Sequence, residues 1–309
     1  MARILITGGA GFIGSNLVAD LVRKGNEVIV VDTMETGNVE LLRGLDVEVY
    51  RMGAHEFYER GDWREGGIDG IFHLGKPSAS PMYRSDRNRI VELVRGTIAM
   101  LEIARELDVK VVSAGTSSVY NGLSPPHRED MPVQPTDFYT EARLFEERLS
   151  RVYELLYGVR WNELRFFSVY GPREEHKGKY ANLITQAMWA GMRGEEFVIY
   201  GDGTQRRDFV YVMDVVDALE RAMESERNGV YNVGTGRSTP LNDAVDLVET
   251  ITGMRIRRKY VPNPVKNYVM VTEAYVENAR RDLGFSARTS LEDGIRQAYE
   301  YYRNLGRLP

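Results

Sequence analysis

Apolar residues enter this chain in short runs that stop at glycine or at an acid. Ile4-Leu5-Ile6 meets the cluster Gly8-Gly9-Ala10-Gly11-Phe12-Ile13-Gly14, and Val28-Ile29-Val30-Val31 ends in Asp32. Between them, about 15–23 alternates apolar and polar positions at a helical period, so the order is strand, glycine turn, helix, strand. Further strand candidates lie at 47–50, 68–74 and 109–114, and helix candidates at about 87–107 and 138–157. That alternation predicts an α/β fold, a doubly wound parallel sheet with helices on both faces. After Gly171-Pro172 the alternation breaks. Strands near 161–167, 209–212 and 229–233 are expected to return to the sheet, interleaved with pieces of a smaller α/β lobe. The division expected is 1–172 with returning segments at about 207–234, and a second lobe from 173–206 and 235–309.

Both long helices carry more apolar surface than one core face needs. The first has Ile90, Val94, Ile98 and Leu101 on one side, with Leu93, Met100 and Leu107 beside them. The second has Ala142, Phe145, Leu149, Val152 and Leu156, and also Leu144 and Leu155. Two explanations stand at this point: the helices pair across a twofold axis in a homodimer, or they lie deeply buried between sheet and lobe.

The glycines give the first strand–helix unit its chemistry. Gly8 permits a tight turn, Gly11 lets backbone approach a pyrophosphate, and Gly14 lets helix and strand pack closely. The pyrophosphate would rest on free N–H groups at the positive end of the helix. Asp32, eighteen residues past Gly14, is spaced to accept hydrogen bonds from an adenosine ribose. Neither Thr33 nor Met34 offers a cation to a 2′-phosphate, so the dinucleotide expected is NAD rather than NADP.

Composition narrows the class. A net charge of −5 and a pI near 5.6 give no electrostatic case for nucleic acid. No apolar run approaches the roughly 18–20 residues that span a bilayer, so the expectation is a soluble, cytoplasmic protein with no membrane partner. Cysteine is absent, which removes thiolate catalysis and cysteine–zinc sites. The histidines at 55, 73, 127 and 176 have no metal-ligand spacing, and no metal is expected. Arginine outnumbers lysine, 33 to 7.

Candidate catalytic residues follow from position. The strand Val111–Ala114 runs into Thr116-Ser117-Ser118, and ligands of doubly wound sheets bind beyond the carboxyl ends of strands. Tyr139 and Arg143 are four apart and share a helix face. A phenol is a poor base at neutral pH, but a fixed cation one turn away and a positive nicotinamide ring would favour the phenolate. Thr116 would then hydrogen-bond a substrate hydroxyl while Tyr139 removes its proton. On spacing alone, an exposed Tyr–Arg pair at helical spacing is the better account of the two residues.

Taken together, these segments resemble the extended short-chain dehydrogenase/reductase family, and within it the nucleotide-sugar epimerases of the UDP-glucose 4-epimerase type. The resemblance runs nearly end to end: the turn Thr7–Gly14, Asp32 with Asn38, Phe72-His73-Leu74, Ser118-Val119-Tyr120, Tyr139, the stretch 164–173, the stretch 201–210, and Asn232-Val233-Gly234-Thr235-Gly236. It implies a Rossmann domain with a substrate lobe, bound NAD and a nucleotide-sugar substrate. Thr116, Tyr139 and Arg143 would be catalytic. Gly8, Gly11, Phe12, Ile13, Gly14, Asp32, Asn38, Leu74 and Lys76 would join Tyr139 and Arg143 on the cofactor. Ser118, Ser168, Asn182, Leu183, Tyr200 and Arg207 would line the substrate site, with Arg207 on the diphosphate.

The chain also departs from the family pattern. Arg143 stands where the family has Lys, Leu93 where a helix Asn is expected, and Ser168 where an Asn lies beside the phosphates. An adenine-contacting Asp is replaced around Ala54, and Thr272 and Tyr275 occupy the places of a late Arg and Asp. Gly75-Lys76-Pro77 replaces a small-residue pair under the nicotinamide, which is expected to put a basic side chain near the cofactor phosphates. A 4,6-dehydratase would carry an acidic pair after the catalytic Thr, and Ser117-Ser118 does not supply one. A cofactor-binding module without turnover is the remaining alternative.

Overall fold

A strand can pair with a parallel neighbour only after a crossover, so apolar strands spaced by amphipathic helices commit the chain to a layered sheet. The computed structural model describes residues 1–264 and 268–305. Its first half holds strands β1 (Arg3–Thr7), β2 (Glu27–Val31), β3 (Glu48–Tyr50), β4 (Gly70–His73), β5 (Lys110–Thr116) and β6 (Trp161–Phe166). Helices α1 (Phe12–Arg23), α2 (Ala54–Arg60), α3 (Ser80–Ser85), α4 (Asn88–Leu107) and α5 (Phe138–Tyr157) lie between them. There follow β7 (Ser168–Tyr170), α6 (Leu183–Arg193), β8 (Glu196–Tyr200), β9 (Arg206–Arg207), β10 (Phe209–Tyr211) and α7 (Val212–Glu224). The chain closes with β11 (Gly229–Val233), β12 (Thr239–Pro240), α8 (Leu241–Thr252), β13 (Arg257–Val261), α9 (Glu277–Leu283) and α10 (Leu291–Asn304).

Seven strands form one parallel sheet in the order β11-β6-β5-β4-β1-β2-β3. From β1 the chain winds to one side for β2 and β3, then crosses to the other for β4, β5 and β6. The switch point therefore lies between β1 and β4, where Thr7 is in register with His73. In such sheets the crevice beyond this point is where a ligand binds.

Successive strand residues face opposite layers. Ile4, Ile6, Val28 and Val30 pack with Leu17, Val18 and Leu21 of α1 and Val215 and Leu219 of α7. Leu5, Ile29, Ile71 and Val111 face Phe57 of α2, Met100 and Ile103 of α4, and Tyr153 of α5. A further apolar cluster joins α6, α8 and α10 through Met188, Trp189, Val245, Val248, Ile295 and Tyr302.

One expected strand is corrected. The segment expected at 209–212 does not enter the large sheet; β10 pairs with β7 in a separate two-stranded ladder. β11 already completes the edge beside β6. The short helices α2 and α3 had no sequence signal comparable to that of α4 and α5, since seven and six residues give too few turns for a period to register. Helix α5 has clear stops at both ends. Asp137 accepts the Thr140 N–H at 2.8 Å, and Gly158 closes the helix at φ +71°, a conformation glycine enters without Cβ strain. The apolar positions on α4 and α5 divide: Leu93, Met100, Leu101, Ala142 and Leu144 are buried, whereas Ile98, Phe145, Val152, Leu155 and Leu156 face outward. Among the described residues, no helix is long and apolar enough to cross a membrane.

Candidate functional site

The glycine turn after β1 exists because side chains would not fit. Gly8 has φ +72°, and a Cβ there would stand 2.6 Å from the Gly75 backbone. At Gly14 a Cβ would meet the Gly8 carbonyl oxygen at 2.1 Å, which is the close helix–strand approach the spacing implied. Gly11 opens α1 without any side-chain cap, leaving the first-turn N–H groups for an external acceptor. The turn forms one end of a cleft of about 760 Å³ that continues past Leu74 and Lys76 to Thr116, Ser118, Tyr139, Arg143, Ser168 and Asn182.

Asp32 sits at the end of β2, with one carboxylate oxygen taking the Ala10 N–H at 3.0 Å and the other the Met34 N–H at 2.8 Å. Burial pushes its carboxyl up, and these two backbone bonds pull it back. Each oxygen retains a lone pair for a ribose hydroxyl. A glycine cradle that a Cβ would fill, an uncapped helix start and a fixed carboxylate beyond it fit an NAD dinucleotide. Asn38 does not join the cleft lining. Its side chain caps a short 3₁₀ turn by accepting the Glu40 N–H at 2.9 Å.

At the other end, β5 delivers Thr116 and α5 delivers Tyr139 and Arg143, all less than a tenth exposed. The Thr116 hydroxyl accepts the Ser118 N–H at 3.2 Å. The Arg143 guanidinium lies 5.6 Å from the Tyr139 ring centre, and Tyr83 of α3 stacks at a tilt 5.5 Å away. The Tyr–Arg pair is therefore buried and cleft-facing, not an exposed pair at helical spacing.

Beneath this pair lies a layer of charge. Glu146 accepts from Arg143 at 3.0 Å, from the Thr97 hydroxyl at 2.7 Å, and forms an ion pair with Lys76 at 2.7 Å. The Lys76 ammonium also reaches the Ala114 carbonyl at 3.3 Å and stands 3.9 Å from Glu163. Lys76 thus corrects an expectation. Its backbone lines the cleft, but its side chain is wholly buried and turns from the cofactor phosphates toward Glu146. Glu146 and the Ala114 carbonyl together offset the cost of taking the ammonium out of water. Among the described residues, neither oxygen of Glu163 has a hydrogen-bond partner, and burial pushes its carboxyl up to about 8. Burial, with Lys76 and Arg143 nearby, holds His73 well below its ordinary range, so the imidazole is neutral.

The remaining predicted residues divide. Asn182 reaches the cleft while capping α6, its oxygen accepting the Ile184 N–H at 3.0 Å. Ser168 is a lining residue on β7. Leu183, Tyr200 and Arg207 are not part of the cleft lining. Tyr200 and Arg207 are linked to each other through Gln205 and Tyr268: Gln205 donates to the Tyr200 carbonyl at 3.1 Å and lies 3.3 Å from the Tyr268 hydroxyl, whose ring sits 5.2 Å from the Arg207 guanidinium. Burial holds Arg207 below its ordinary range, with Tyr268 opposing, and no ion pair to a carboxylate is formed by Arg207 among the described residues.

Sequence reasoning missed Glu146, Glu163 and Tyr268. Two signals were available for the acids. Glu146 breaks the apolar arc of α5, and Glu163 interrupts a strand that should read as continuously hydrophobic in the interior of a parallel sheet. A neighbouring pair, Arg165 with Glu147, forms a buried fork at 2.8 and 2.6 Å. Arg165 also donates to the Tyr120 hydroxyl at 2.7 Å.

The sequence matches the model of the NAD dependent epimerase/dehydratase family over residues 4–234. Among solved structures, the UDP-glucose 4-epimerase of Thermotoga maritima with UDP-glucose is 32% identical, with a TM-score of 0.92 over 99% of this chain and 100% of that one. The UDP-glucose 4-epimerase of Thermus thermophilus in complex with NAD is 28% identical, with a TM-score of 0.88 over 98% of this chain and 99% of that one. A different reaction is named for UDP-glucuronic acid decarboxylase 1 of Danio rerio, which is 30% identical over 97% of this chain and 72% of its own length. A match running from β1 to β11, on a cleft built for a dinucleotide, means that this chain belongs to the NAD dependent epimerase/dehydratase family, with NAD as its cofactor.

Proposed function

We propose that the protein is a nucleotide-sugar epimerase of the UDP-glucose/UDP-galactose 4-epimerase type. The observation that carries this reading is the convergence of Thr116, Tyr139 and Arg143 on the cleft that begins at the glycine turn. When bound, NAD supplies reversible hydride storage. Thr116 orients a sugar hydroxyl, Tyr139 takes its proton, and the Arg143 charge favours the phenolate that receives it. After the sugar has turned over in the pocket, Tyr139 returns the proton. Arg207, which has no carboxylate partner among the described residues and whose fork suits phosphate oxygens, is assigned to the diphosphate with Leu183 and Tyr200 from outside the cleft lining, opposite Ser118, Ser168 and Asn182 within it. Residues 173–206 and the described part of 235–309 form the substrate side; 265–267 and 306–309 lie outside the described residues.

Purified protein incubated with UDP-glucose, UDP-galactose, their N-acetyl forms and UDP-glucuronic acid tests this. Interconverted isomers support epimerisation, a 4-keto-6-deoxy chromophore indicates a dehydratase, and carbon dioxide from UDP-glucuronic acid a decarboxylase. Bound NAD that no nucleotide sugar reduces indicates a binding module. Tyr139→Phe is expected to lower turnover by at least 10²-fold, the lower end of general-base contributions, with NAD still bound; unchanged turnover excludes Tyr139 as the base.

The reading includes a homodimer. Ile98 of α4 and Phe145, Val152, Leu155 and Leu156 of α5 are all more than a third exposed, and a second copy presenting the same two helices would cover them.

A further inference from the structure

We propose that Glu146 is a positioning residue: one carboxylate shared between Arg143 and Lys76 sets how much positive charge reaches Tyr139. This rests on Tyr139 as the base. Its oxygens divide the work, one taking Arg143 at 3.0 Å and the other Lys76 at 2.7 Å. The three side chains come from α5 and from the loop after β4, and none is more than 5% exposed. Because Lys76 also lends its backbone to the cofactor cleft, the same carboxylate bolts the floor of that cleft to the helix bearing Tyr139.

The charges around Tyr139 can be followed element by element. Its own helix supplies Arg143 and Glu146. The loop after β4 supplies Lys76, and β4 supplies His73, which burial keeps neutral. Tyr83 of α3 is held protonated by burial, and Arg89 of α4 is neutralised by Glu35. From β6 comes Glu163, also neutral below about pH 8 because it is buried. Arg143 and Lys76 therefore close on the single Glu146 carboxyl, so the three together set the local charge in an interior that screens it poorly. Removing Glu146 raises that charge, and removing Lys76 lowers it. The hydrogen bond from Thr97 to Glu146 at 2.7 Å would survive on the amide oxygen of Glu146→Gln, while the amide nitrogen would face the Arg143 donor, so the variant removes the charge and the Arg143 contact but keeps the Thr97 anchor.

The test places Glu146→Gln and Lys76→Met each in a Glu163→Gln background, so that Glu163 cannot ionise in compensation. In NAD-loaded protein, single-turnover reduction of the cofactor by its nucleotide sugar is followed against pH. With Glu146→Gln the rise of rate with pH is expected to move about one pH unit lower, and with Lys76→Met about one unit higher, the scale of a nearby charge. Shifts in the same direction, or slower rates with the rise unmoved, would overturn the proposal. Thermal melting supplies a readout independent of turnover. Glu146→Gln alone strands a buried ammonium, so it is expected to lower Tm more than Glu146→Gln combined with Lys76→Met. Additive losses sink the shared-carboxylate arrangement, and a double variant that folds where the single one does not supports it. If no nucleotide sugar reduces bound NAD, the epimerase reading fails, and the melting comparison still decides whether Glu146 serves both cations.

Discussion

Glu163 occupies the interior of a parallel strand, and neither carboxyl oxygen is hydrogen-bonded among the described residues. Such a group is tolerated because it is uncharged at neutral pH, its ionisation being pushed by burial from 4.5 up to about 8. The sign of the consequence follows from proton counting. Between those two values the folded protein holds a proton that the unfolded chain has released, so stability falls as pH rises. The stability is fully present below the unfolded value and lost as pH rises through about 8. Glu163→Gln, which keeps shape and removes titration, is expected to flatten that decline, with the two proteins differing least near pH 4. Parallel stability curves for the two proteins across this range, from denaturant titrations, would show that Glu163 is ionised when folded. Lys76 makes a related point: a lysine in a glycine–proline setting beside a dinucleotide turn invites a phosphate reading, yet it pairs with Glu146.

Helices and strands divide sharply in how far the chain announced them. The unit from β1 to β2 was legible because three constraints coincide within thirty residues: an apolar run, glycines where a Cβ would clash, and an acid at the second strand's end. The bounds of α5 were legible because twenty residues give the helical period room to show and Asp137 and Gly158 punctuate it. By contrast, β10 reads as apolar like any interior strand, and nothing local tells it to pair with β7 rather than with the large sheet. Pairing is decided by which edge is already filled, a property of the whole arrangement. The same holds for the charge layer, since Lys76, Thr97, Glu146 and Glu163 lie on four different elements and have no common motif. Helix α5 and strand β6 are joined by the buried Arg165–Glu147 fork. Replacing Glu147 by Leu leaves the guanidinium without its counter-charge and is expected to cost about 3–5 kcal/mol in denaturant unfolding. A loss under about 1 kcal/mol, typical of exposed pairs, would mean that water reaches the fork.

At the scale of the molecule, the exposed row on α4 and α5 is the feature that a single copy leaves unexplained. Charges placed there should separate two copies without touching the cleft. Phe145→Glu with Val152→Glu is expected to halve the mass found by analytical ultracentrifugation while NAD remains bound. An unchanged mass would place any self-association on another face. A last consequence concerns how the molecule comes into being. The apolar layer that holds Ile4, Ile6, Val28 and Val30 also includes Ala279, Leu283 and Phe285, from α9 and the turn after it, which pack on α7 and β11. That layer is therefore complete only once the chain through Phe285 has left the ribosome.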